Sequence, residues 1–263
     1  MAVRAATADD YPAFVELFDA LETGDDTTPQ PEWEQRLMPQ TLVYEDEGRT
    51  LAYVLFQVLA DLGYIRHLAV DAAHRGRGIG RTLMSAVGAR LREAGIETWC
   101  LNVKPDNVPA IALYEKLGMR QQYTTHVVRM HWDVPARLPP ADADVDLLEP
   151  SDDAAVEAAL GMPGGLIAKQ RGPGCELLVA RRDGHPMGLA AFRPSFPGAY
   201  PFRAADLGTT RTLLDAMYPR RDETKEIVQV VLEDAEPIAR ALVDAGGWPH
   251  LEIVHLKGPV PTP

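Results

Sequence analysis

Arginine and glycine fill every position but one in Arg75-Gly76-Arg77-Gly78-Ile79-Gly80-Arg81. Glycines so spaced let backbone N–H groups close around an anion with no Cβ in the way. A helix starting directly behind them adds unpaired N–H donors and the positive end of its dipole. The arginines add mobile positive charge. Together these make a pyrophosphate cradle. A ligand-free Arg/Gly turn is the plain alternative, and the amphipathic run that follows at once argues against it. The dinucleotide fingerprint has a different spacing and follows the first strand of a βαβ unit. A P-loop fails because no Gly-Lys-Ser/Thr is present.

The elements around this loop must hold it in place. Val3 to Ala6 reads as a short strand, and Thr7 caps a helix whose Phe14, Val15, Leu17, Phe18 and Leu21 follow helical spacing. Glu22 to Pro31 reads as a polar loop. Three strand-like runs follow, 41–44, 51–58 and 64–70, with Asp46-Glu47-Gly48 turning between the first two. The third run delivers the chain into the glycine loop. Beyond it Leu83, Met84, Val87 and Leu91 form an apolar stripe, with Gly95 where a C-cap belongs. A strand over 99–103, a helix over 107–117 ended by Gly118, and an alternating strand over 123–132 complete the first half.

On these residues the first half resembles the GNAT superfamily of N-acetyltransferases across its element order. Arg75-x-x-Gly78-x-Gly80 is similar to the family's pyrophosphate signature. Asn107-x-x-Ala110-Ile111-x-Leu113-Tyr114-Glu115-Lys116-Leu117-Gly118-Met119 is similar to its other frequent signature. The resemblance implies an α/β fold, with mixed, mostly antiparallel sheets flanked by helices. It implies acetyl-CoA as cofactor and direct transfer of the acetyl group to a primary amine of a small molecule or peptide. Backbone groups of Leu68, Ala69 and Val70 are then expected to pair with the pantetheine arm. Arg75, Gly76, Arg77, Gly78, Ile79, Gly80, Arg81 and Thr82 would hold the pyrophosphate, and Asn107 would contact the arm. Tyr114 would lie near the sulfur and protonate the departing thiolate, as a phenol of pKa about 10 can.

An amine of pKa near 10 must lose a proton before it attacks. The position where many relatives carry a catalytic Glu holds Arg66 here. His67 beside it titrates in a useful range if it faces the cleft, and is the candidate base; a core or sheet-face histidine is the competing reading. Glu22, Asp25 and Asp26 are further alternatives, or a solvated loop. No metal site is singled out.

The second half repeats the first faintly. Arg81-Thr82-Leu83 recurs as Arg211-Thr212-Leu213, and Val103, Asp106, Pro109 and Gly118 reappear as Val231, Asp234, Pro237 and Gly246. The division expected is a catalytic domain at 1–133, a proline-rich linker at 134–144, and an acetyltransferase-like domain at 145–263 with a frayed tail from Gly258. That domain has lost its site: Asp206 falls in the cofactor loop, Ala235 replaces Asn107 and Leu242 replaces Tyr114.

With 46% hydrophobic and 24% charged residues the composition is globular, and a net charge of −12 disfavours nucleic acid. The start lacks a signal-peptide run, and no window is apolar enough for a membrane span. A cytoplasmic monomer or homodimer with no membrane partner is expected, with Cys100 and Cys175 reduced. A non-catalytic acyl-CoA sensor and a protein acetyltransferase that docks through its second half are the rival functions.

Overall fold

The structure is a computed structural model and describes residues 2–21 and 26–262. The chain forms two compact units, one of residues 1–122 with 254–263 and the other of 123–253.

In the first unit β1 (Ala2–Ala5) leads through a short turn into α1 (Tyr11–Asp19), and helical turns over 30–40 precede β2 (Thr41–Asp46). Buried Asp10 ties this start together. It accepts from both terminal nitrogens of Arg4, at 2.7 and 2.9 Å, and from the Thr50 hydroxyl at 2.6 Å. Then come β3 (Arg49–Leu59), β4 (Leu62–Val70), α2 (Ile79–Glu93), β5 (Thr98–Val103) and α3 (Val108–Lys116). The order across the sheet is β1-β2-β3-β4-β5. All neighbours are antiparallel except β4 and β5, which are parallel.

The apolar stripe on α2 does what its period requires. Leu83, Met84, Val87 and Leu91 are fully buried against the sheet residues Val54, Ile65, Trp99 and Leu101. On the other face Phe14, Leu17 and Phe18 of α1 pack with Trp33, Tyr53 and Ala69. The sheet is thus covered by helices on both sides.

In chain order the second unit holds most of β6 (Arg120–His131), then β7 (Asp144–Leu147), α4 (Asp153–Ala159), α5 (Leu166–Gln170) and β8 (Glu176–Arg182). It continues through β9 (His185–Arg193), β10 (Gly198–Ala204), α6 (Leu207–Met217), β11 (Ile227–Glu233) and α7 (Glu236–Asp244) into β12 (Trp248–Pro259). Its order is β7-β8-β9-β10-β11, again antiparallel except for the fourth and fifth strands.

The sixth strands are where this differs from a cut at 133 and 145. In the first unit, β5 pairs antiparallel with residues 254–259 of β12. In the second, β11 pairs antiparallel with residues 125–131 of β6. Gly258 and Pro259, the start of the segment expected to fray, are therefore paired in the sheet. Val260 is buried, and its N–H donates to the Glu97 carbonyl at 2.8 Å. The proline-rich stretch is not a free spacer either: Val134 and Leu138 are buried in the second unit's core, and Pro135 is buried beside them.

Candidate functional site

The parallel β4–β5 ladder runs only from Leu62↔Thr98 to Ile65↔Leu101, although both strands continue. On its other side β4 pairs with β3, and there the register slips: Leu55 faces His67 while Phe56 faces Ile65. Arg66 is the extra residue of a β-bulge. Bulges bend a strand and sharpen its twist. This one lies where the two strands part.

Past the bulge, β4 keeps β3 on one side only. The Asp71 N–H donates to the Leu51 carbonyl at 2.9 Å, so Asp71 points its backbone toward β3. Antiparallel strands alternate, so Ala69 also turns to β3, and Leu68 and Val70 present their backbone groups to the open side. Of the three residues expected on the pantetheine arm, two face the opening and Ala69 is occupied by its own sheet.

The strand ends at the glycine loop. Gly76 has φ of 77° and Gly78 of 81°, the left-handed region in which only glycine is comfortable. A Cβ at either would meet nothing within 4 Å, so these glycines serve backbone conformation and leave the cradle open. Gly78 is the N-cap of α2 and has no side-chain cap. The first intrahelical donor is Thr82, to Gly78 at 3.0 Å, so the N–H groups of Ile79, Gly80 and Arg81 have no partner within the helix. Arg75, Arg77, Arg81 and Thr82 are exposed, whereas Ile79 anchors the turn in the core and offers only its backbone. Gly80 has a different role. A Cβ there would stand at ordinary packing distance, 3.4 Å from Leu113 and 3.6 Å from Leu68, so Gly80 lies against α3 and β4 rather than in the open loop.

Asn107 caps α3, its carbonyl accepting the Ala110 N–H at 3.3 Å. Tyr114, two turns beyond that cap, is buried in the same apolar cluster as Ile65, Leu101 and Val103. Among the described residues its hydroxyl has no hydrogen-bond partner. Burial pushes the phenol up to about 12, so it holds its proton at neutral pH.

His67 lies on the opposite face, toward α1. Its ring is 5.3 Å from that of Phe18, and Nδ1 is 3.4 Å from the Tyr53 hydroxyl. Arg66 is exposed, as is Asp26; Glu22 and Asp25 lie outside the described residues. Sequence reasoning missed three residues on this face. Tyr64 of β4, Asn102 of β5 and His255 of β12 are linked: Asn102 Nδ2 donates to the Tyr64 hydroxyl at 3.4 Å, and its Oδ1 is 2.9 Å from His255 Nδ1.

The second unit parts its strands at the same place and fills the gap with its own side chains. The β10–β11 ladder stops at Ala199↔Val230. Beyond it Glu233 accepts from Tyr200 at 3.2 Å and pairs with Arg203. At the start of α6 the Asp206 carboxylate accepts the Thr209 N–H at 2.7 Å. That bond, with Arg182 beside it, holds the acid below the usual carboxylate range. Ala141 packs over Gly208, leaving 2.7 Å to a would-be Cβ.

Among the described residues no group of three or more His, Cys, Asp or Glu is placed to hold a metal ion. No helix is long and apolar enough to cross a membrane, again among those residues. Burial raises both thiols, Cys100 and Cys175.

The fold and parts of the sequence have counterparts among known proteins. The chain is similar to the ribosomal protein bS18-alanine N-acetyltransferase of Escherichia coli, 35% identical over 74 residues, which is 28% of this chain and 50% of that enzyme. The chain thus spans about half the length of the curated relatives it matches first. A mycothiol acetyltransferase from Rhodococcus erythropolis is 41% identical over 58 residues, 22% of this chain and 19% of that enzyme. Over nearly its whole length the chain shares the fold of a GCN5-related N-acetyltransferase from Sphaerobacter thermophilus, with a TM-score of 0.64, 19% identity, and coverage of 99% of this chain and 96% of that one. The model of the acetyltransferase (GNAT) family matches residues 6–119, the part of the chain that carries the glycine loop, Asn107 and Tyr114.

Proposed function

We propose that the chain is an N-acetyltransferase that moves an acetyl group from acetyl-CoA to a primary amine of a small molecule or peptide. The observation that carries this reading is the continuity of the open β4 edge, the glycine loop and the uncapped start of α2. An extended arm of amides ending in a pyrophosphate fits that sequence of donors and acceptors.

Acetyl-CoA supplies an activated acyl carbon on a sulfur leaving group. The chain's own residues bind, orient and protonate. Leu68 and Val70 offer an added strand its hydrogen bonds. The N–H groups of residues 76–81 and the guanidinium groups of Arg75, Arg77 and Arg81 take the phosphate charge. Asn107 sets the first turn of α3 and so the reach of Tyr114. Tyr114 keeps a proton on its hydroxyl and gives it to the departing sulfur. His67, with Tyr53 and Phe18, forms a wall of the face opposite α2, where the acceptor amine arrives. The two relatives, an alanine N-acetyltransferase of a ribosomal protein and a mycothiol acetyltransferase, support an amine acceptor in general.

The second unit, in this reading, takes no acyl-CoA. Asp206 occupies the donor that a phosphate would use, and Ala141 stands on Gly208. The test is thiol release from acetyl-CoA against polyamines, amino acids, aminoglycosides and short peptides, with Tyr114→Phe alongside. Acceptor-dependent release that drops in the variant while binding persists supports the reading. Tight binding with no release for any amine overturns it in favour of a sensor.

A further inference from the structure

This inference rests on the acetyltransferase reading and asks where the amine's proton goes. An amine of pKa near 10 is almost wholly protonated at pH 7, so the face that receives it needs a base. His67 is the sequence candidate, but its ring sits against Phe18 and beside Tyr53 within the aromatic cluster under α1.

The Tyr64–Asn102–His255 line is placed differently. Asn102 is the first residue of β5 beyond the end of the β4–β5 ladder, and so stands at the mouth of the opening. His255 is its direct partner across the β5–β12 pair. The side chains of Asn102 and His255 point away from the core cluster that their neighbours Leu101, Val103, Val254 and Leu256 enter. Three adjacent strands thus carry one polar line across the open end of the sheet, on the face away from α2 and Tyr114.

The hydrogen bonds within that line fix a tautomer. An amide nitrogen only donates, so Asn102 Nδ2 meets the phenol oxygen of Tyr64; an amide oxygen only accepts, so His255 Nδ1 must donate to Oδ1. A neutral imidazole with its proton on Nδ1 carries its basic lone pair on Nε2. Orientation of one ring nitrogen by a fixed acceptor is how a histidine is prepared for proton transfer.

We propose that His255 is the base that takes the proton from the acceptor amine, and that Asn102 positions it. The nitrogen's electron pair forms the new C–N bond at the acyl carbon, and the C–S bond breaks with its pair going to sulfur. His255 Nε2 first takes one proton from the ammonium and passes it to water, which frees that electron pair. As the C–S bond breaks, sulfur takes the Tyr114 hydroxyl proton, and the second nitrogen proton lost goes to His255 Nε2. Exchange with water then resets both side chains. The two proton sites thus lie on opposite faces of the sheet, one for the leaving group and one for the nucleophile. Among the described residues of β4, β5 and residues 254–259, the ionisable groups around the line include Tyr64 and Cys100, both kept protonated by burial, Arg66 in the bulge, and Lys257 two residues along β12.

The experiment uses the full chain and the best acceptor from the thiol-release panel, and compares His255→Gln, Asn102→Ala and His67→Gln, with acetyl-CoA binding as the check of folding. His255→Gln is expected to lower kcat/KM at pH 7 by about 10²-fold with acetyl-CoA affinity unchanged. The loss should shrink as pH approaches the amine's own pKa, where the free amine needs no base. Imidazole should restore part of the rate to His255→Gly, and Asn102→Ala should show a smaller loss of the same pH form. Normal turnover in His255→Gln, a loss that is flat with pH, or the same pH-dependent loss in His67→Gln instead, overturns the assignment alone. No acceptor-dependent release by the unaltered protein overturns the acetyltransferase reading and this assignment with it.

Discussion

Arg75 Nε donates to the Val70 carbonyl at 3.1 Å, so the first side chain of the glycine loop is tied to the end of the open strand edge. The open β4 edge and the glycine loop are therefore tied to each other by one residue. Arg75→Ala should remove both a charged contact and that tie. Charge-assisted hydrogen bonds are worth about 1.5–3 kcal/mol, so acetyl-CoA binding should weaken by about 10- to 100-fold. Arg75→Lys keeps charge without the guanidinium geometry and should recover only part of the loss. Calorimetric titration of both variants with acetyl-CoA decides this; equal affinity for the alanine variant and the unaltered protein removes Arg75 from the site.

Tyr114→Phe should lower kcat by about 10²-fold and leave acetyl-CoA affinity in place, since only the proton is lost. The same variant reports on stability. The folded-state pKa of about 12 stands above the ordinary value near 10, so the unfolded chain loses this proton first as pH rises. Tyr114 therefore leaves stability untouched below about pH 10 and subtracts from it between there and pH 12, by about 2–3 kcal/mol. Urea unfolding of both proteins from pH 8 to 12 should show curves that separate only above pH 10, with the phenylalanine variant the more stable.

Asp206 marks the contrast between the two units. Its carboxylate does for α6 what a bound phosphate would do for α2. Asp206→Ala should cost about 1 kcal/mol, the usual value of an N-cap, and should not create a second site. Titration should give one acetyl-CoA per chain before and after the change. A stoichiometry of two would refute the reading of the second unit.

A fragment of residues 1–133 should not fold as a domain. It lacks residues 254–259, which pair with β5 from Thr98 to Val103 and bring Val254 and Leu256 into the core. Losing two such side chains costs about 2–5 kcal/mol each, and the bared edge invites aggregation. Circular dichroism and thermal melting of the fragment, compared with the full chain, would show a cooperative transition if this were wrong.

The parts of the site that were legible in the sequence are those whose signals are local. Gly76 and Gly78 need left-handed φ, the α2 stripe repeats with the helical period, and Tyr114 follows Asn107 by two turns; each can be read within a short window. Strand partnership is a different kind of fact. The alternation in residues 123–132 and 248–259 says that each is a strand with one buried face, and it is indifferent to which neighbour supplies the hydrogen bonds. A cut at 133 followed chain order, whereas the sheets complete themselves from across the sequence. Asn102 and His255 were lost for the same reason. Each is a single polar residue between apolar ones, and nothing near either points to a partner 153 positions away. Ala69 failed through alternation itself: neighbours along a strand face opposite edges, so three consecutive residues cannot all serve one ligand.

The placement of residues 254–259 beside β5 also sets an order of events during synthesis. Residues 1–122 emerge first, yet the strand that finishes their sheet follows only after all of residues 123–253. At about 5–20 residues per second the ribosome takes on the order of ten seconds to make that stretch. For that interval the first unit waits with β5 as an open edge, and a chain that stops before residue 254 never closes it. The first unit's sheet is therefore complete only once the chain has been made through residue 259.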